Sequence, residues 1–82
     1  MPRIIDSAKC NMVGEKVKYY RKKKKFSQKT LSEKLETMAI YVCRGSISRI
    51  EDGSRTVTDI ELYGLSKVLG VSIEDLFPSN NG

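Results

Sequence analysis

Hydrophobic positions along the chain fall into five short stripes at helical spacing. Val13, Val17 and Tyr20 recur at i, i+4 and i+7, which predicts a first helix over about 12 to 24 with Asn11 as its cap and Arg21 on the flank of the stripe. Phe26 is placed to plug the core as the chain turns. Ser27 then offers a side-chain acceptor just ahead of Gln28, Leu31 and Leu35, predicting a second helix over Gln28–Glu36. A third follows in which Ile47 and Ile50 share one face and Gly53 supplies a left-handed stop. Thr58-Asp59-Ile60-Glu61 is a capping box opening a fourth helix with Leu62, Leu65 and Leu69 inward and Gly70 as its end. Ser72 starts a last short helix whose Ile73, Leu76 and Phe77 are expected to close the core before Pro78.

The third stripe is the most informative, because of what lies opposite it. At 100° per residue Gly45, Ser48, Arg49 and Asp52 fall away from the two isoleucines, and Arg44 projects from the first turn. Arginine bonds guanine O6 and N7 in bidentate fashion, and small residues let a backbone come close to DNA, so this face suits a major-groove reader. From these residues alone an ordinary solvated helix face fits equally well. Between the second and third helices Met38-Ala39-Ile40-Tyr41-Val42-Cys43 is too apolar for a solvated loop. Ile40 and Val42 are predicted to fold back over the core, leaving Tyr41 or Met38 either packed or exposed to a partner chain.

Charge sharpens the picture. Fifteen Lys and Arg face ten acids, and residues 1 to 26 alone hold nine of the bases and two of the acids. Such a balance favours a polyanionic partner, nucleic acid before membrane, since no stretch approaches the ~20 apolar residues of a spanning helix. The five consecutive bases Arg21-Lys22-Lys23-Lys24-Lys25 close the first helix, where the macrodipole alone favours them and where phosphate contact is the competing account. Length predicts one domain over 11–78, with an N-terminal arm at 1–10 and a polar tail at 79–82; any oligomer must use the domain's own surface. The first ten residues lack an apolar run long enough for a signal peptide, and a cytoplasmic location is expected.

Candidate chemistry is sparse. The chain has no histidine, no glycine-rich phosphate loop, and no serine or cysteine with a recognisable base, so neither an enzyme, a cofactor nor a metal site is expected. Cys10 and Cys43 lack metal or redox spacing and read as reduced thiols, with a redox role for Cys43 at the start of the third helix left open.

Three blocks, VGEKVKYYRKKKKFSQKTLSEKL at 13 to 35, SISRIEDGSR at 46 to 55 and LSKVLGVSIEDLF at 65 to 77, together resemble the helix-turn-helix family of the phage lambda repressor and Cro proteins, the XRE family. The resemblance implies an all-α, compact five-helix domain that binds double-stranded operator DNA, usually as a homodimer. It implies base reading by Arg44, Gly45, Ser48 and Arg49, and backbone contact by Gln28, Ser46, Arg55, Lys23 and Lys24. It also implies a partly buried ion pair between Arg21 and Glu51. A repressor is the function expected, and a protein-interaction module on the same fold, such as an antitoxin, is the alternative. Two features depart from the family pattern. The turn at 36–43 is about five residues longer than usual, and Lys25 stands where glycine commonly ends the first helix, so the residue is either left-handed or the helix ends differently.

Overall fold

The computed structural model describes residues 10–78, which form five α-helices and, among the described residues, no strand. These are α1 (Gly14–Lys23), α2 (Gln28–Glu36), α3 (Arg44–Asp52), α4 (Asp59–Leu69) and α5 (Ile73–Leu76). Most of the arm expected at 1–10 and the tail at 79–82 lie outside the described residues; Cys10 is tied down, its amide donating to the Gly53 carbonyl at 2.7 Å.

Local chemistry sets most of the helix ends. Ser27 Oγ accepts from the Thr30 amide at 3.0 Å, and Thr58 and Ser72 each form a reciprocal capping box, with Glu61 and Asp75 respectively. Gly53 and Gly70 end α3 and α4 with φ of 84° and 71°. Helix α1 begins two residues later than its stripe suggests, because Asn11 Oδ1 accepts from both the Val13 and Gly14 amides and holds the chain in a turn there. At its other end Lys25 takes φ 62°, the left-handed alternative, while the Phe26 amide closes back onto the Arg21 carbonyl at 3.0 Å.

One core joins the helices: Val13 and Val17 of the α1 segment, Leu31, Leu35, Ile47, Ile50, Leu65, Leu69 and Leu76, with Ile40 and Val42 from the long turn. Both turn residues fold inward as their apolar character requires. Tyr20, Phe26 and Leu62 are half-buried at the margin. The C-terminal expectation needs correcting, since Ile73 and Phe77 are each 39% exposed and Leu76 alone is buried. A four-residue helix turns one side chain inward, and the extended backbone at Phe77 (ψ 152°) carries that ring outward. Gly14 sets the approach of α1 to α3: a Cβ there would lie 2.1 Å from the Ile50 carbonyl oxygen, so a larger residue must push the two helices apart.

Candidate nucleic-acid interface

Helix α3 buries Ile47 and Ile50 and turns Arg44, Gly45, Ser48 and Arg49 to the outside, all four exposed. Neither arginine side chain has a hydrogen bond or ion pair among the described residues, and a Cβ built on Gly45 meets nothing within 4 Å. The first turn therefore presents open space beside two free guanidinium groups. Ser46 is half-buried, and Cys43, which precedes the helix, donates its thiol to Ser46 Oγ at 3.4 Å. The Ser46 hydroxyl and amide pull the Cys43 thiol below its ordinary pKa.

The placement of α3 rests on two polar clusters, one buried and one half-buried. Glu51, in its last turn, accepts from Arg21 Nε at 2.5 Å and Nη2 at 3.1 Å, and from Gln28 Nε2 at 3.1 Å. Arg21 also donates from Nη1 to the Phe26 carbonyl at 2.8 Å, so one guanidinium ties α1 to both α3 and the turn before α2. Asn11 forms the second cluster, its Nδ2 donating to the Ile50 carbonyl at 3.1 Å and the Arg55 carbonyl at 2.7 Å. Asn11 thus couples the start of α1 to the end of α3, a long-range role that its reading as a local cap does not contain.

Arg44 of α3 meets the start of α2 across a shallow polar hollow lined by Arg21, Ser27, Gln28 and Lys29. Gln28 sits on its rim with its amide engaged by Glu51, and Lys29, passed over in the sequence, is exposed beside it. Lys23 and Lys24 lie elsewhere. Together with Tyr20, Leu69, Gly70 and Val71 they line a different hollow, and Lys23 Nζ stands 5.7 Å from the centre of the Tyr19 ring. Consecutive residues on a helix point 100° apart, so a run of bases cannot serve one face. Arg55 donates to Glu61 in bidentate fashion, Nη1 to Oε1 at 2.8 Å and Nη2 to Oε2 at 2.9 Å. These bonds hold the Glu61 carboxyl below the usual glutamate range and push the Arg55 guanidinium up. Glu61 as a partner for Arg55 has no signature in sequence, because the pair spans the link between α3 and α4 rather than one helix.

No helix among the described residues is long and apolar enough to cross a membrane. No curated protein matches the chain. Among solved structures it is similar to the hydroxypropylphosphonic acid epoxidase from S. wedmorenis, with TM-score 0.72 and 23% identity over 89% of this chain, which spans 36% of that one. It is also similar to the DNA-binding domain of BldD, with TM-score 0.70 and 23% identity over 90% of this chain and 100% of that one. Both likenesses show the fold. The helix-turn-helix family profile matches residues 17–76, taking in all but the first three residues of α1 and all of α2 to α5. With the hollow between α2 and α3 and the open outward face of α3, the match establishes that the chain belongs to the XRE-type helix-turn-helix family of DNA-binding proteins.

Proposed function

We propose that the chain is a sequence-specific regulator of transcription, acting as a repressor, that reads the major groove of double-stranded DNA with α3. The observation that carries this reading is the outward face of α3, where Arg44 and Arg49 have no hydrogen-bond or ion-pair partner among the described residues and the backbone of Gly45 is unobstructed. Two exposed guanidinium groups flanking a bare stretch of helix suit bidentate bonding to guanine edges. Arg44 and Arg49 are the base readers, Gly45 and Ser48 set the distance, and Gln28 and Ser46 meet the backbone near the polar hollow. Gln28 is already oriented by Glu51, so it meets phosphate with little further loss of freedom.

The bound form is a homodimer on paired half-sites, since one such domain covers only about 600 to 1,000 Å² of DNA. Its interface lies at the α4 to α5 end, supported by the exposed Ile60, Tyr63, Ile73 and Phe77 there. Selection from a random duplex pool tests the reading. A single enriched, two-fold repeated site is expected, with affinity that falls as salt rises. Arg49→Ala weakens the selected site by about 1 to 3 kcal/mol and relaxes one or two base pairs, while barely changing a scrambled duplex. Equal losses on both duplexes would make Arg49 a phosphate clamp, and a salt slope near zero would remove DNA as the partner.

A further inference from the structure

The long turn between α2 and α3 has a shape that packing alone does not explain. Its chain leaves α2 through Ala39, a non-glycine residue at φ 63°, and returns antiparallel to the helix, the Ile40 amide donating to the Leu35 carbonyl at 3.0 Å and Ser32 Oγ to the Val42 carbonyl at 2.7 Å. Ile40 and Val42 are 8% and 3% exposed, whereas Tyr41 between them is 76% exposed, the largest exposure among the large hydrophobic residues described. Alternation in extended backbone produces this, and it also puts Tyr41 on the same side as Cys43, the exposed residue that leads into Arg44. With both neighbours sunk in the core and their backbone bonded to α2, the backbone at Tyr41 is held and its side chain leaves the surface outward. The Tyr41 hydroxyl and ring have no partner among the described residues.

We propose that Tyr41 is a further DNA contact, packing its ring on the sugar-phosphate backbone beside the groove that α3 enters and donating its hydroxyl to a phosphate oxygen. The proposal rests on the major-groove reading of α3 given above. An α-helix about 10 to 12 Å across fills a major groove about 12 Å wide. A segment lying beside α3 against α2 therefore meets the groove wall, and the wall is phosphate and deoxyribose. Extended spacing of about 3.3 Å per residue puts Tyr41 within roughly 10 Å along the chain of Arg44, which itself lines the hollow where Gln28 and Lys29 stand. A rigid tyrosine supplies wide contact and one donor with few rotatable bonds to freeze. Being neutral, it releases no counterion.

The last point gives the contact a signature distinct from that of lysine or arginine. Tyr41→Ala and Tyr41→Phe are measured with the wild-type chain on the selected duplex and on a scrambled one, across a salt series, with hydroxyl-radical footprints. Tyr41→Ala is expected to weaken both duplexes by about tenfold and Tyr41→Phe by about two- to fivefold, with the log-log salt slope unchanged. Protection of one or two nucleotides flanking the α3 footprint should be lost in Tyr41→Ala. Wild-type affinity and footprint in Tyr41→Ala overturn the proposal, as does a loss confined to the selected duplex, which makes Tyr41 a base reader. A change in the sedimentation of the free protein also overturns it, assigning the ring to a second copy of the chain. Failure of the wild-type chain to bind any duplex in a salt-dependent way removes the underlying reading instead, and is seen before either variant is tested.

Discussion

Arg21 and Glu51 form the pair whose breaking the structure makes most costly. Glu51 is 7% exposed and accepts three hydrogen bonds, two from Arg21 and one from Gln28, while Arg21 is itself 8% exposed. Glu51→Ala leaves the guanidinium buried with the Phe26 carbonyl as its remaining acceptor. Removing one member of a buried pair costs about 3 to 5 kcal/mol, and the surviving bond to Phe26 puts this variant near the lower end. Arg21→Ala is the harsher change, because it leaves a carboxylate with one neutral donor and the Phe26 carbonyl with none from this side chain. Gln28→Ala removes only a half-buried neutral donor and should cost about 1 kcal/mol. Domains of this size lose about 4 to 8 °C of Tm per kcal/mol, so the two charge-removing variants should melt roughly 12 to 40 °C lower. Equilibrium urea unfolding, with the slope checked for constancy, measures the loss directly. The double variant Arg21→Met/Glu51→Leu strands neither charge and should lie within about 1 kcal/mol of wild type. Single variants that each lose less than 1 kcal/mol, or a double variant that loses the sum of both, would refute the reasoning.

Lys25→Gly removes the Cβ strain of a left-handed residue and should raise stability by about 0.5 to 1 kcal/mol, read as a higher Tm despite the lost charge. The Arg55–Glu61 pair carries a pH signature: the folded Glu61 carboxyl titrates below its ordinary value of 4.5, so the pair's contribution is complete above that pH and is lost as pH falls through the folded value. Glu61→Gln should accordingly lower stability at neutral pH and flatten its decline in the acid range, which urea titrations at stepped pH would show. Changing Lys23 and Lys24 to Gln should lower affinity for every duplex alike and flatten the salt slope while the ranking of sites is kept; an unchanged slope would mean that the hollow they share with Gly70 faces away from the duplex.

Residues whose role is decided within one turn were legible from sequence: Ser27 and Thr58 as caps, Gly53 and Gly70 as stops, Ile47 and Ile50 as the inner face of α3. Ile40 and Val42 were legible too, since six successive apolar or small residues have nowhere else to go. Phe77 was not, because a four-residue helix is too short for periodicity to say which side chains turn inward. The same limit shaped the site. Gln28 and Arg55 carry hydrogen-bonding groups that suit phosphate, yet the groups they meet in the fold are Glu51, 23 residues on, and Glu61, 6 residues on. Motif spacing fixes where a residue sits along its helix, but not which carboxylate a neighbouring element brings within reach.

The distinction between those two contacts bears on what each residue can give to DNA. Glu51 takes one bond from Gln28 while its charge is already matched by Arg21, so Gln28 keeps its oxygen and its second amide hydrogen for another partner. Arg55 commits both of its terminal nitrogens to Glu61 and one of them also to the Thr56 carbonyl. A phosphate approaching Arg55 must compete with a carboxylate already held in bidentate geometry, and the Glu61 so released would also loosen the capping box at Thr58. On the proposed DNA reading, Gln28 meets the backbone at little cost, whereas Arg55 serves first to close the link between α3 and α4.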